Sequence, residues 1–140
     1  MTRINIIEPK ELSDQHLVAE YREIFMIGSA LQRSLKSPKW NETKETLPED
    51  FTLNAGHIKF FFNKGEYLHN RYLELIEEMK MRGMKPDPDR KFKREQWPDD
   101  LYKNWKPNDK DFKIIKKRIQ ERIDLKPEWY RYSERIYNEF

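Results

Sequence analysis

The chain contains no cysteine, only four glycines among 140 residues, and no long apolar run. Without cysteine there is no disulfide framework and no thiolate metal site. No segment approaches the ~20 apolar residues needed to span a bilayer. No apolar run follows the basic start, so a signal peptide is not expected. HExxH, a Walker loop and GxGxxG are all missing, and His16, His57 and His69 lack metal-ligand spacing. Metal and nucleotide chemistry therefore have no motif to support them. The expectation is a soluble protein of a reducing compartment, the cytoplasm, with no membrane partner.

Charged residues make up 38% of the chain, hydrophobic residues 36% and aromatic residues 14%. The mean hydropathy of -1.08 is polar. The aromatics compensate, because each buries a large area, and they argue against disorder over most of the chain. The length suits one domain spanning 1–140. A formal net charge of +3 permits nucleic-acid binding without establishing it.

The apolar spacing predicts three main helices. From Ser13 to about Leu35, residues Leu17, Tyr21, Ile24, Gly28, Leu31 and Leu35 recur in steps of three and four, with Ser13 or Asp14 as the cap. The segment from Ser37 to Asp50 is polar, carries Pro38 and Pro48, and reads as a loop. An apolar stretch surrounds Gly56. The second helix spans Gly65 to Arg82, with Gly83 just past its end. Lys85 to Pro107 reads as a long loop anchored by Trp97 and Trp105. The third helix spans Asp109 to Leu125, capped by Asn108 and stopped by Pro127, before an aromatic tail. The expected fold is all-α, one compact domain of three main helices with long irregular loops.

Three groups of residues could carry chemistry. The first is the N-terminus. Thr2 is small enough to permit removal of Met1, which would expose an α-amine with a pKa of about 7.7–8.0, against about 10.4 for lysine. At pH 7 roughly 10–15% of such an amine is neutral, against about 0.04% of an ordinary lysine. The alternative is an inert terminus. The second group lies on the first helix. His16 and Glu23, seven apart, share a face, with Arg22 beside them. An acid next to a cation on a polar face can move protons; the alternative is a solvated, salt-bridged surface. The third group interleaves cations with flat rings: Lys116, Lys117, Arg118 and Arg122, then Trp129, Tyr130, Arg131, Tyr132 and Arg135. Cations hold phosphates, and rings stack on bases or wedge into a duplex. The alternative is a solvated helix followed by an aromatic core plug.

Several blocks carry a further signal: Met1-Thr2-Arg3-Ile4-Asn5, Asp14 to Glu23, Ala55 to Phe62, Glu74-Leu75-Ile76 to Arg82-Gly83, and Pro127 to Tyr132 closing on Ile136-Tyr137. In order and spacing they resemble the phage pyrimidine-dimer DNA glycosylase family, also called phage endonuclease V. The resemblance implies a three-helix fold and a bifunctional glycosylase and abasic lyase without metal or organic cofactor. It implies that the Thr2 amine attacks C1′ of the damaged nucleotide, that a Schiff base forms, and that β-elimination breaks the strand. Glu23 would support the sugar intermediate and move protons. Arg3, Gln15, His16 and Arg22 would contact or position duplex DNA, with Arg118 and Arg122 at phosphates and Trp129, Tyr130 and Arg131 on the binding surface. The enzyme would act as a monomer on damaged double-stranded DNA, in the host cytoplasm if phage-encoded.

Two positions depart from the family's pattern. Met26 stands where the phage prototype has a second arginine, and its spacing places it on the face of Glu23. Tyr72 stands where the prototype has an amide residue. Two other readings stay open: the same chemistry on another damaged or modified base, and a non-catalytic DNA-binding module. A protein-interaction module built on the tail aromatics is a third.

Overall fold

The computed structural model describes residues 3–134. It is helical, with no strand among the described residues. Helices α1 (Asp14–Glu23), α2 (Phe25–Leu35), α3 (Trp40–Glu45), α4 (His57–Phe60), α5 (Gly65–Met81) and α6 (Asp109–Leu125) follow in order. Their apolar sides close on one buried cluster that includes Leu17, Ile24, Leu31, Phe60, Leu68 and Leu75.

The expected first helix is two. Its apolar period runs unbroken past Glu23, but the hydrogen-bond ladder tightens there. Ile24 keeps right-handed helical dihedrals and its N–H still reaches Glu20 O at 2.9 Å, while the Ile27 N–H bonds Ile24 O at 3.4 Å. Of the two candidate caps it is Ser13 that acts, its Oγ accepting from the His16 N–H at 3.1 Å.

α5 and α6 keep the expected bounds almost to the residue. Gly83 takes a φ of 79°, a left-handed conformation that glycine adopts at little cost, just beyond α5. Asn108 and Asp111 form a reciprocal capping box at the start of α6. The expected loop after Ser37 contains α3, which buries no residue and so leaves no apolar stripe to read. The long segment after Gly83 is anchored as expected: Trp97 is buried and packs on Gly65, where an added Cβ would lie 2.7 Å from the indole ring. Trp105 packs against Phe51, Phe60 and Phe61.

Two buried arginines of the α5 segment tie the N-terminal third together. Arg71 pairs with Glu20 of α1 at 2.6 Å and donates to Ile7 O at 2.5 Å. Arg82 pairs with Glu78 at 2.8 Å and with Asp14 at 3.0 Å, and donates to the carbonyls of Pro9 and Lys10. No helix among the described residues is long and apolar enough to cross a membrane.

Candidate active site

Residues 3–7 run ahead of α1 as an arm with no partner strand among the described residues, and side chains take up several of their backbone groups. The Ile4 N–H donates to His57 Nε2 at 2.9 Å, and the Asn5 N–H donates to Glu20 Oε1 at 3.0 Å. Side chains alternate along this extended piece. Ile4 enters the core, while Arg3 and Asn5 line a cleft of about 240 Å³.

α1 supplies His16, Ala19, Glu20 and Glu23 to the cleft, the three- and four-residue spacing of one helix face. α6 supplies Arg118, Ile119 and Arg122, and the tail supplies Tyr130. The Arg3 guanidinium has a lowered pKa, first because it is partly buried and then because Arg118 and Arg122 repel it, with Glu23 opposing. Three guanidinium groups around one hollow form a site for anionic oxygens.

His16 is set by its neighbours. Its ring stacks on Tyr130 with centroids 4.8 Å apart and planes 5° from parallel. The Ser13 hydroxyl accepts the backbone N–H of His16 and lies 2.7 Å from Nδ1, a hydrogen bond that fixes the ring's orientation. Burial lowers the His16 pKa, as do Arg3 and Arg122, while Glu20 raises it.

Six of the residues singled out in the sequence therefore meet in this cleft: Arg3, His16, Glu23, Arg118, Arg122 and Tyr130. Gln15 does not line it. Its amide donates to Trp129 O at 2.7 Å and accepts from the Arg131 N–H at 2.9 Å, so it holds the tail against α1. Asp14 adds to this docking, accepting from the Ser133 N–H at 3.1 Å. Arg22 is exposed outside the lining, and its carbonyl accepts from Arg90. Trp129 and Tyr132 are more than half exposed, so these two rings do not plug the core. Arg131 is also exposed. Met26 is 53% exposed beyond the tightened turn and is not among the cleft-lining residues. Tyr72 is buried, stacks on Tyr21 and donates to Arg90 O. Burial pushes its phenol up to about 12. Thr2, Arg135, Ile136 and Tyr137 lie outside the described residues.

Sequence reading missed Asn5, Ala19 and Glu20 as cleft residues. Asn5 is two positions from Arg3 on an extended arm, and Glu20 is four from His16 and three from Glu23, so the periodicities could have found both. The buried Asn5 Oδ1 has no hydrogen-bond partner among the described residues. A larger hollow, about 510 Å³, lies between α2 and residues 89–96, but none of the sequence-predicted site residues lines it.

The family model for pyrimidine dimer DNA glycosylase matches residues 1–92. The matched segment includes Arg3, His16, Glu20 and Glu23, together with the arm and α5 residues that hold them. Arg118, Arg122 and Tyr130 lie beyond it and join the same cleft through the packing of α6 and the tail. Family membership places the chain in DNA repair, with DNA as the substrate, and the chain belongs to the pyrimidine dimer DNA glycosylase family.

Proposed function

We propose that the protein is a bifunctional enzyme that excises pyrimidine dimers from duplex DNA and cleaves the strand at the resulting abasic site, using the Thr2 α-amine. The observation that carries this reading is the convergence in one cleft of Arg3, to which Thr2 is directly joined, the Glu23 carboxylate, and the α6 cations. The neutral amine attacks C1′, the C1′–N bond breaks, and its electron pair leaves with the base, which takes up a proton. The amine gives up a proton as the sugar ring opens, so that C1′ and the amine nitrogen form a protonated imine. Loss of a C2′ proton then drives β-elimination. The C3′–O bond breaks and its electrons leave with the 3′ phosphate. Water hydrolyses the imine and restores the amine.

Glu23 is the group proposed to move protons in these steps, and to face the positive charge that develops on the sugar. Arg3, Arg118 and Arg122 hold phosphates. Arg22 and Arg131, exposed at the flanks, extend the cationic surface. His16, whose ring stacks on Tyr130 in the cleft, contacts the substrate. Trp129 and Tyr130 present rings to the duplex, and Gln15 acts by fixing the tail that carries them. One chain supplies every group this scheme uses, in keeping with a monomer.

The test compares cleavage of ultraviolet-irradiated and abasic plasmid, with and without borohydride. Nicking of both, with borohydride converting the abasic reaction into a covalent protein–DNA adduct, is the expected result. Binding without nicking or adduct would make the protein a non-catalytic DNA-binding module. Nicking of abasic plasmid alone would point to another damaged base as the glycosylase substrate.

A further inference from the structure

Five backbone groups of the N-terminal arm are tied down within four residues. The Ile4 N–H goes to His57 Nε2 and the Asn5 N–H to Glu20 Oε1. Arg71 donates to Ile7 O, and the Ile7 N–H closes on Asn5 O at 2.5 Å. That last bond spans two residues around Ile6, whose φ is 49°. A positive φ is an outlier for a β-branched residue and persists only where the surroundings over-determine it. Here they do, because every outside partner is buried and itself held. The His57 Nδ1–H donates to Thr52 O at 2.7 Å, and Glu20 is gripped by Arg71 through both oxygens.

The tautomer of His57 follows without ambiguity. Thr52 O can only accept and the Ile4 N–H can only donate, so the ring carries its proton on Nδ1 and offers a lone pair at Nε2. Burial, more than any other influence, keeps the ring neutral. Neither His57 nor Arg71 lines the cleft.

We infer that His57 and the Glu20–Arg71 pair are positioning residues: they lock the register of the arm and so set how far the terminal amine reaches into the cleft. This inference rests on the proposal that the Thr2 amine is the nucleophile. An arm free to slide by a fraction of a residue would move that nitrogen by more than the ~1 Å misplacement that can cost about 10²-fold in rate. The clamp therefore acts on imine formation. Its effect on duplex binding is smaller, because of the three proposed phosphate cations only Arg3 sits on the arm.

The experiment uses the full chain and a duplex with a single abasic site. Single-turnover imine formation is read by borohydride trapping, and affinity is read separately on a duplex carrying a tetrahydrofuran abasic analogue, which forms no imine. His57→Leu removes the acceptor. His57→Gln retains a carbonyl oxygen for the Ile4 N–H and an amide donor for Thr52 O. For His57→Leu, trapping is expected to slow by about 10²-fold, with analogue affinity changed less than about threefold. His57→Gln is expected to recover most of the rate. Wild-type trapping by His57→Leu, equal losses in rate and affinity, or no advantage of Gln over Leu would overturn the inference. If His57→Leu does not fold, a glycine inserted between Thr2 and Arg3 decides the matter, because it leaves the clamp and core untouched. A locked arm predicts loss of trapping with binding and melting preserved, whereas retained trapping would mean that the arm slides. Failure of the wild-type protein to trap any adduct would refute the amine proposal itself and is thus distinct from either result.

Discussion

Replacing Arg71 by methionine isolates the clamp's electrostatics from its shape. The Arg71 and Glu20 side chains are 3% and 0% exposed and meet at 2.6 Å. Removing one member of such a pair strands the other charge in the interior, at a cost of roughly 3–5 kcal/mol. Glu20 would keep the Asn5 N–H, and Ile7 O would lose its Arg71 donor. A natural domain has only about 5–15 kcal/mol of stability in total. A loss at the middle of the stated range lowers the melting temperature by on the order of 10–20 °C for a chain of this size. Urea unfolding followed by circular dichroism reads the free energy directly. The double variant Glu20→Met/Arg71→Met is the informative partner, since an apolar replacement of a buried pair is often neutral or stabilising. It should recover much of the stability while leaving the Asn5 N–H without its acceptor, so imine trapping should stay low. A loss below about 1 kcal/mol in Arg71→Met, the scale of an exposed pair, would refute the reasoning. So would full trapping in the stable double variant.

Three further outcomes follow from the cleft. Glu23→Gln keeps the side chain's shape and removes its charge; base release on irradiated duplex should fall by about 10²–10⁴-fold, with DNA affinity equal or higher, and near-normal turnover would leave the acid a structural role only. Arg122→Ala should weaken damaged and undamaged duplex alike and flatten the plot of log K against log salt by roughly 0.9, whereas a loss confined to damaged DNA would place Arg122 in lesion recognition. Stability should fall on acidification: burial holds His57 below its unfolded value of about 6.5, so the unfolded chain takes the proton first, and stability that is complete above that pH is lost as pH drops toward the folded value. Urea midpoints measured across this window should show the fall, with a smaller one in His57→Gln; an unchanged slope in that variant would remove His57 from the account.

How far the fold could be read from the sequence depended on whether polarity tracked exposure. α6 has a capping box at Asn108, buries Ile115 and Ile119, and is followed by Pro127, so pattern and structure agree. α5 ends at a glycine that takes the left-handed conformation its position needs. The turn at Ile24 left no mark, because the apolar period that defines α1 continues into α2. α3 left none either, because none of its residues is fully buried and only Trp40 packs against the core.

The cleft was partly legible for the same reason. His16 and Glu23 stand out as polar residues on one face, and Arg118 and Arg122 as a cationic repeat. Glu20 carries no such mark, because the partner that turns it into a buried anchor, Arg71, is 51 positions away. Gln15 illustrates the reverse: the family pattern suggests a DNA contact, while the amide is bonded to the backbone of residues 114 and 116 positions further on. Such long-range pairings are set by tertiary packing and have no local periodicity. Met26 has no counterpart explanation in the cleft, which it does not line.

The nucleophile is tested most directly by locating the covalent bond. Lys64 supplies an internal rival, since burial lowers its ammonium to about 8, close to the range of a terminal amine. It donates to Phe60 O and Asn63 Oδ1 and does not line the cleft. The measurement is borohydride trapping on an abasic duplex followed by protease digestion and mass spectrometry of the DNA-bearing peptide. The account predicts the adduct on the N-terminal peptide, at the Thr2 nitrogen with Met1 absent, and undiminished trapping by Lys64→Arg. An adduct on Lys64 or any other lysine, or trapping unaffected by a retained Met1, would contradict it.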